Sequence, residues 1–325
     1  MIGRTYAVHP DPADFSVHVV TRRDSGKVIL RHRAAKGYET AFAGVHGDIL
    51  VLADGNAFSS DPRPQHISFF DLRSGKKIRD IKDILGKDYE PGATALQDSV
   101  ATTGHYYLTV APVKDRRFGC VGRVNLATWS FETISDCDRM TDTIHYGSPG
   151  DAGHTWLTMR SEKPSDDADR VCQMGEAFYR NKRIRIGGKD NCRVWYTGLV
   201  ADPAGGEPWQ VWTERDPEVG PEGPVFASNG AELIRLGESN GLILYSCGGY
   251  VYWSQQLDGS SLVTADEVEF GYLRWRPGGP IELVWVVPKE GWPVTLNSCN
   301  EGILTVVTMD FESKQSRVRY LESEK

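Results

Sequence analysis

Residues 15–33 read FSVHVVTRRDSGKVILRHR, two runs of alternating apolar and polar residues joined at Asp24, Ser25 and Gly26. Alternation at a period of two puts one face of a strand on a core, and a polar turn containing Gly between two such runs closes an antiparallel hairpin. The pattern returns as HISFFDLRSGKKIRDI at 66–81, CVGRVNLATWSFETI at 120–134, VFASNGAELIRL at 225–236 and YLRWRPGGPIELVWVV at 272–287. A looser version surrounds Arg180 and Asn181. Recurrence about every 50 residues marks stacked units.

Between these hairpins lies a second type of segment: GYETAFAGVHGDILVLAD (37–54), LQDSVATTGHYYLTVA (96–111), IHYGSPGDAGHTWLTM (144–159), VWYTGLVADPAGGEPWQVW (194–212), GLILYSCGGYVYWSQ (241–255) and PVTLNSCNEGILTVVT (293–308). Each pairs a short strand of small residues with a more apolar one, as expected where neighbours cover both faces. Six inner pairs and six outer pairs predict an all-β chain, a single β-propeller domain over residues 1–325 with six four-stranded blades. The chain opens on an outer hairpin, Phe15 to Arg33, and closes on an inner pair, Trp292 to Met309, so the two are expected to join in one blade and remove free edges. Short strands near Thr5 to Val8 and Ser316 to Leu321 leave seven blades as the alternative. The one helical turn expected is at Asp83 to Leu85.

No linker or charge block divides the 325 residues, and no apolar stretch has the length of a membrane-spanning helix. A net charge of −7 argues against nucleic acid and anionic membrane as partners. The basic run Arg180 to Arg185 reads as a solvated loop, and the expected state is a monomer.

The six cysteines fall in matching places of the drawn blades. Cys120 with Cys137 and Cys172 with Cys192 flank outer hairpins, and Cys247 with Cys299 sit in inner-pair turns of successive blades. Three disulfides are expected, which imply an oxidising compartment and a secreted or lumenal protein. Met1 to Pro10 carries no signal-peptide pattern, so cytosolic thiols are the alternative. The spacings of 17, 20 and 52 do not match zinc sites.

In a propeller the loops leading into the inner strands build a funnel. The residues there are Glu39, Thr40, Gln97, Asp98, His145, Tyr146, Arg193, Trp195, Tyr196, Glu238, Asn240, Trp292 and Asn297, the mixture of a small-molecule pocket. His145 is the expected acid/base, because imidazole exchanges protons near neutral pH. Asp98 or Glu39 would orient it or act as partner acid, Arg193 would bind a carboxylate or stabilise an enolate oxygen, and Tyr196 would polarise the substrate. Glu39, Gln97, Tyr146, Trp195, Asn240, Trp292 and Asn297 would line the pocket. His46, His105 and His154 recur at equivalent turns and read as structural repetition; His18 and His66 lie on outer strands and are expected to be exposed. The acidic loop Glu162 to Asp169 lacks the spacing of a calcium loop, and no metal or cofactor is expected. Neither a GxSxG elbow, a P-loop nor a GxGxxG motif occurs.

DLRSGKK (71–77) and VNLATWS (124–130) resemble the turns of quinoprotein-like and WD-type propellers, in which an Asp or Asn and an apolar residue precede the outermost strand. The blade count is similar to that of strictosidine synthase and lactonase propellers and of propellers that cyclise natural products. By that likeness of fold, the expected function is a cofactor-independent enzyme performing cyclisation, dehydration or lyase chemistry on a small aromatic or polyunsaturated metabolite. The alternatives are a non-catalytic propeller that binds a glycan or protein through its loops, and a glycoside hydrolase using paired carboxylates.

Overall fold

The computed structural model describes residues 4–11, 13–34, 36–55, 66–92, 99–101, 104–116, 118–139, 148–149, 154–161, 171–180, 182–188, 191, 193–214, 222–240, 244–257, 270–287, 292–300, 302–310 and 315–322. They fall into two compact units, residues 1–147 and 148–325.

The first unit begins with an antiparallel sheet of β1 (Tyr6–Asp11), β2 (Asp14–Arg22) and β3 (Val28–Arg33), in that order. A four-stranded meander follows: β4 (Glu39–His46), β5 (Ile49–Gly55), β6 (His66–Asp71) and β7 (Lys76–Asp80). A short helix, α1 (Ile81–Leu85), buries Ile81 and Leu85 and extends the expected turn by two residues at its start. The third sheet holds β8 (Tyr89–Pro91), β9 (Ser99–Ala101), β10 (His105–Pro112), β11 (Phe118–Asn125), β12 (Phe131–Thr133) and β13 (Asp138–Arg139). Its inner strand is split, with β8 and β9 pairing opposite ends of β10, and its outer strand likewise, with β12 and β13 on β11.

The second unit has three four-stranded meanders. They are β14 (Ser148–Pro149), β15 (His154–Ser161), β16 (Val171–Tyr179) and β17 (Lys182–Ile186); β18 (Val194–Val200), β19 (Trp209–Glu214), β20 (Gly223–Ser228) and β21 (Leu233–Ser239); and β22 (Leu244–Cys247), β23 (Tyr250–Gln256), β24 (Phe270–Trp275) and β25 (Glu282–Val286). The last sheet has three strands, β26 (Trp292–Asn300), β27 (Ile303–Asp310) and β28 (Gln315–Glu322). The inner strands β14, β18, β22 and β26 converge.

Every hairpin read from the sequence forms, but the blade count changes. Among the described residues five sheets reach four strands or more, rather than six or seven, and two stop at three. The expected closing blade does not form, because it would require β2 to pair with β27. Instead β1 and β3 occupy both edges of β2, and β26 and β28 occupy both edges of β27. The two short strands that fitted no blade are the cause: each completes its own terminal sheet.

The strand patterns follow from position. β5, covered on both faces, is buried from Leu50 to Gly55, whereas β7, outermost in the same sheet, is mostly exposed. Tyr6, Val8 and Val20 of the first sheet pack on Val45, Leu50, Leu52 and Phe70 of the second. Val51, Ile67 and Phe69 pack on Tyr106, Leu108 and Val124 of the third. In the second unit Trp209, Val211 and Val225 meet Leu244, Val251 and Trp253, and Tyr252, Phe270 and Tyr272 meet Leu304 and Val306. The basic run is not wholly solvated: Arg183 and Arg185 both pair with the buried carboxylate of Glu176.

The two resemblance-bearing turns share one construction. Asp71 Oδ1 accepts the Arg73 N–H and Asn125 Oδ1 accepts the Ala127 N–H, and four residues after each side chain the backbone is left-handed, at Gly75 (φ 69°) and Trp129 (φ 59°). Gly takes that conformation freely and Trp does not. The Trp129 ring is set edge-on to Phe69 at 5.2 Å and lies under the Arg79 guanidinium, so packing between sheets offsets backbone strain.

Two of the three expected disulfides lie within the described residues. Cys120–Cys137 spans a Cα separation of 4.4 Å inside the third sheet, and Cys247–Cys299 spans 5.6 Å between β22 and β26. Both are compatible with an oxidising environment. Cys192, half of the third pair, lies outside the described residues. Among the described residues no helix is long and apolar enough to cross a membrane.

Candidate functional site

Inner strands β4, β18 and β26 each carry a register shift against their partner: between Thr40 and Phe42, between Val194 and Tyr196, and between Val294 and Ser298. A bulge re-aims the side chains beside it and recurs next to functional sites. In the same three sheets the second strand finishes at or beside an acidic residue. Asp54 lies opposite Thr40, Glu214 lies opposite Val194, and Asp310 closes β27.

At the mouth of β18 the Glu214 carboxylate is held in place. Its Oε1 accepts Asn191 Nδ2 at 2.7 Å and Trp212 Nε1 at 3.0 Å, and Asn191 Nδ2 also reaches the Gly187 carbonyl at 3.3 Å. Asn191 Oδ1 in turn accepts the backbone N–H of Arg193 at 3.0 Å, and the Arg193 side chain is exposed. Trp195 is the extra residue of the bulge. Its half-buried ring stands edge-on to that of Tyr196, 6.0 Å away at 86°. The Tyr196 N–H donates to Thr213 Oγ1 at 3.1 Å.

Behind Tyr196 two more phenols follow. Burial, and then the neighbouring Tyr196, pushes Tyr245 of β22 up to about 12. Burial, and then Tyr245, pushes Tyr272 of β24 up as well, and its buried hydroxyl has no hydrogen-bond partner among the described residues. Tyr245 and Tyr272 therefore stay protonated at neutral pH. Aromatic planes and an exposed guanidinium at one strand end suit a flat ligand with an anionic or polar substituent, whereas the Glu214 carboxylate shares the Trp212 face, which packs toward Ala177 and Ile186.

The expected site residues fare unevenly. Arg193, Trp195 and Tyr196 share the β18 mouth. Asn240, beyond the end of β21, is buried, and its Oδ1 accepts Ser254 Oγ at 2.5 Å while its N–H donates to the Ser254 carbonyl at 3.1 Å. It ties one blade to the next. Glu238 pairs with Arg235 on the exposed face. Glu39 begins β4 opposite Gly55, and Trp292 and Asn297 lie on β26, the first opposite Met309 and the second within the register shift. Gln97, Asp98, His145 and Tyr146 lie outside the described residues, as does the acidic loop.

A second cluster, in the first unit, was not anticipated. His32 Nε2 of β3 lies 3.0 Å from both carboxylate oxygens of Asp54 on β5, and Thr40 Oγ1 donates to Asp54 Oδ1 at 2.9 Å. Asp54 is buried, and the His32 ring stands edge-on to Phe70 at 5.7 Å. Contrary to the expected exposure, His18 is half-buried opposite His32, with a buried Nδ1 that has no hydrogen-bond partner among the described residues. His66, opposite Asp54 on β6, is exposed as expected and meets the Tyr38 ring at 4.7 Å. His46 packs over Gly104, where an added Cβ would lie 3.2 Å from its Nε2. Among the described residues no three His, Cys, Asp or Glu side chains gather to hold a metal ion.

No family model and no curated protein matches the chain. Solved structures do. The β-propeller domain of the Trilobed protease from Pyrococcus furiosus, described as having an open velcro topology, is similar at 10% identity and a TM-score of 0.56, over 98% of this chain and 91% of that one. A prolyl endopeptidase gives 10% and 0.51 over 88% of this chain, which spans 41% of the endopeptidase chain. A chain of the mitotic checkpoint complex gives 12% and 0.51, over 95% of this chain and 82% of that one. At such identities the likeness is one of fold, and the fold is an all-β propeller.

Proposed function

We propose that the β18 mouth binds a small aromatic ligand bearing an anionic or polar substituent. In this reading the chain is a cofactor-independent propeller enzyme of cyclase, dehydratase or lyase type, acting in an oxidising compartment. The observation that carries it is the bulge at Trp195, which sets the Trp195 and Tyr196 rings edge-on to one another at the strand end that bears the exposed Arg193. The rings would hold the flat part of the ligand and Arg193 would hold its anionic group. His145 remains the proposed acid/base.

The test is thermal-shift screening of the purified chain against a panel of aromatic carboxylates and phenols, with hits titrated by tryptophan fluorescence. Binding that Arg193→Ala and Trp195→Ala weaken at least about tenfold supports the assignment, since about 1.4 kcal/mol of lost contact does that. Hits that bind both variants unchanged would refute it. A second reading, a propeller domain serving a larger hydrolase, is favoured by the 91% coverage of the protease propeller. It is supported if no panel compound binds and a peptide library does.

A further inference from the structure

We infer that the first sheet, β1 to β3, is an acid-labile leaf, released from the second sheet when a second imidazole beside Asp54 takes up a proton. Two histidines, His18 and His32, face one another across the β2–β3 ladder, and Asp54 is the carboxylate of the neighbouring sheet that they share. A charge on His32 would find its counter-charge in place, because Asp54 lies against its Nε2. A charge on His18 would have to be carried with a buried Nδ1, next to that first cation and with Asp54 already engaged by His32 and Thr40.

Among the described residues, the remaining groups around the pair supply no second unpaired anion. On β1, His9 is a further potential cation, its Nδ1 3.0 Å from the Pro10 carbonyl. On β3, Arg31 is paired with Asp11 and Arg33 with Asp14, so those carboxylates are spent. From the second sheet come Thr40, Phe70 and the exposed His66. Burial, and then His32, holds His18 below the ordinary imidazole range, as this arrangement requires. A base whose folded value is depressed leaves stability intact above its unfolded value, near 6.5, and loses it as pH falls below that value, because the opened state binds the extra proton.

The other joints between the two sheets lie elsewhere. Tyr6 donates to Asp48 Oδ1 at 3.2 Å, and Val8 and Val20 make apolar contact with Leu50 and Phe70. The last sheet differs in kind, since Cys247–Cys299 fastens β26 to the preceding blade covalently.

Native-state hydrogen exchange of the full chain from pH 8 to pH 5, corrected for intrinsic rates, reads the opening directly. Protection in peptides covering 14–33 should fall by up to about tenfold per pH unit below the imidazole range, the slope one proton sets, while peptides from β10 and β11 stay level. His18→Phe and His18→Gln should each abolish that slope, and Asp54→Asn should lower protection of the same peptides throughout. Equal protection of 14–33 across the range, or an acid slope that persists in both His18 variants, would overturn the inference.

Discussion

Trp212 donates its indole N–H to Glu214 Oε1 at 3.0 Å, two residues further along the same strand. Successive odd or even positions of a strand share a face, so the pair is set by the pleat itself. Asn191 brings a second donor to the same oxygen from the loop ahead of β18. The carboxylate is thus oriented from two directions before any ligand arrives, and a preorganised acceptor costs a ligand less to engage.

Glu214→Ala should therefore destabilise the chain by about 1–3 kcal/mol, because two donors lose their acceptor. Glu214→Gln keeps the acceptor and should leave most of that stability, while weakening any ligand that needs the charge. Urea unfolding of both variants separates the two effects; equal stability losses would mean the charge, not the acceptor, holds the mouth of β18 together.

The phenol row gives an alkaline signature. Tyr245, pushed up to about 12 by burial and then by Tyr196, contributes stability that is fully present below the ordinary tyrosine value of 10.0 and is lost as pH rises through the folded value. Phenolate absorbance should show a late-ionising fraction that Tyr245→Phe reduces. A Tyr245→Phe variant with an unchanged titration curve would contradict the assignment.

The two disulfides among the described residues close loops of unequal length, 17 and 52 residues. On the loop-entropy argument, Cys247→Ser with Cys299→Ser should cost about 4 kcal/mol, and Cys120→Ser with Cys137→Ser about 3 kcal/mol. Melting under matched conditions gives the order, and a reversed order would show that native packing outweighs chain entropy here.

Gly198 marks a close approach of β18 to β22. A methyl group there would fall onto Ser246 Oγ and lie 3.0 Å from Leu244 Cδ2. Gly198→Ala should destabilise by about 1–3 kcal/mol, with Ser246→Gly restoring part of the loss in the double variant. Strict additivity of the two substitutions would indicate that the strands separate freely.

Most of the architecture was legible, because alternation and polar turns are local. The hairpins at 66–81 and 225–236 needed only their own residues. Closure was not legible: it depended on whether Tyr6–Asp11 and Gln315–Glu322 would cap β2 and β27, a competition between distant strands that no local pattern encodes. Arg193, Trp195 and Tyr196 were found because they sit where the chain turns into an inner strand. Glu214 was missed although the apolar strand WQVWTE ends on it, much as ILVLADG ends beside Asp54. An acidic residue closing the second strand opposite a bulge would have been the signal. The His32–Asp54 contact joins residues 22 positions apart from two different sheets, and nothing in either segment announces the other.

Because neither terminal sheet lends a strand to the other, a pull on the two ends of the polypeptide meets two unlike resistances. Under tension the leading sheet can be peeled away by breaking side-chain contacts in turn, while load on the trailing sheet runs through Cys299 into β22. Stretched from both ends, the molecule should yield first at its amino-terminal side, and a reductant should make the two sides more alike.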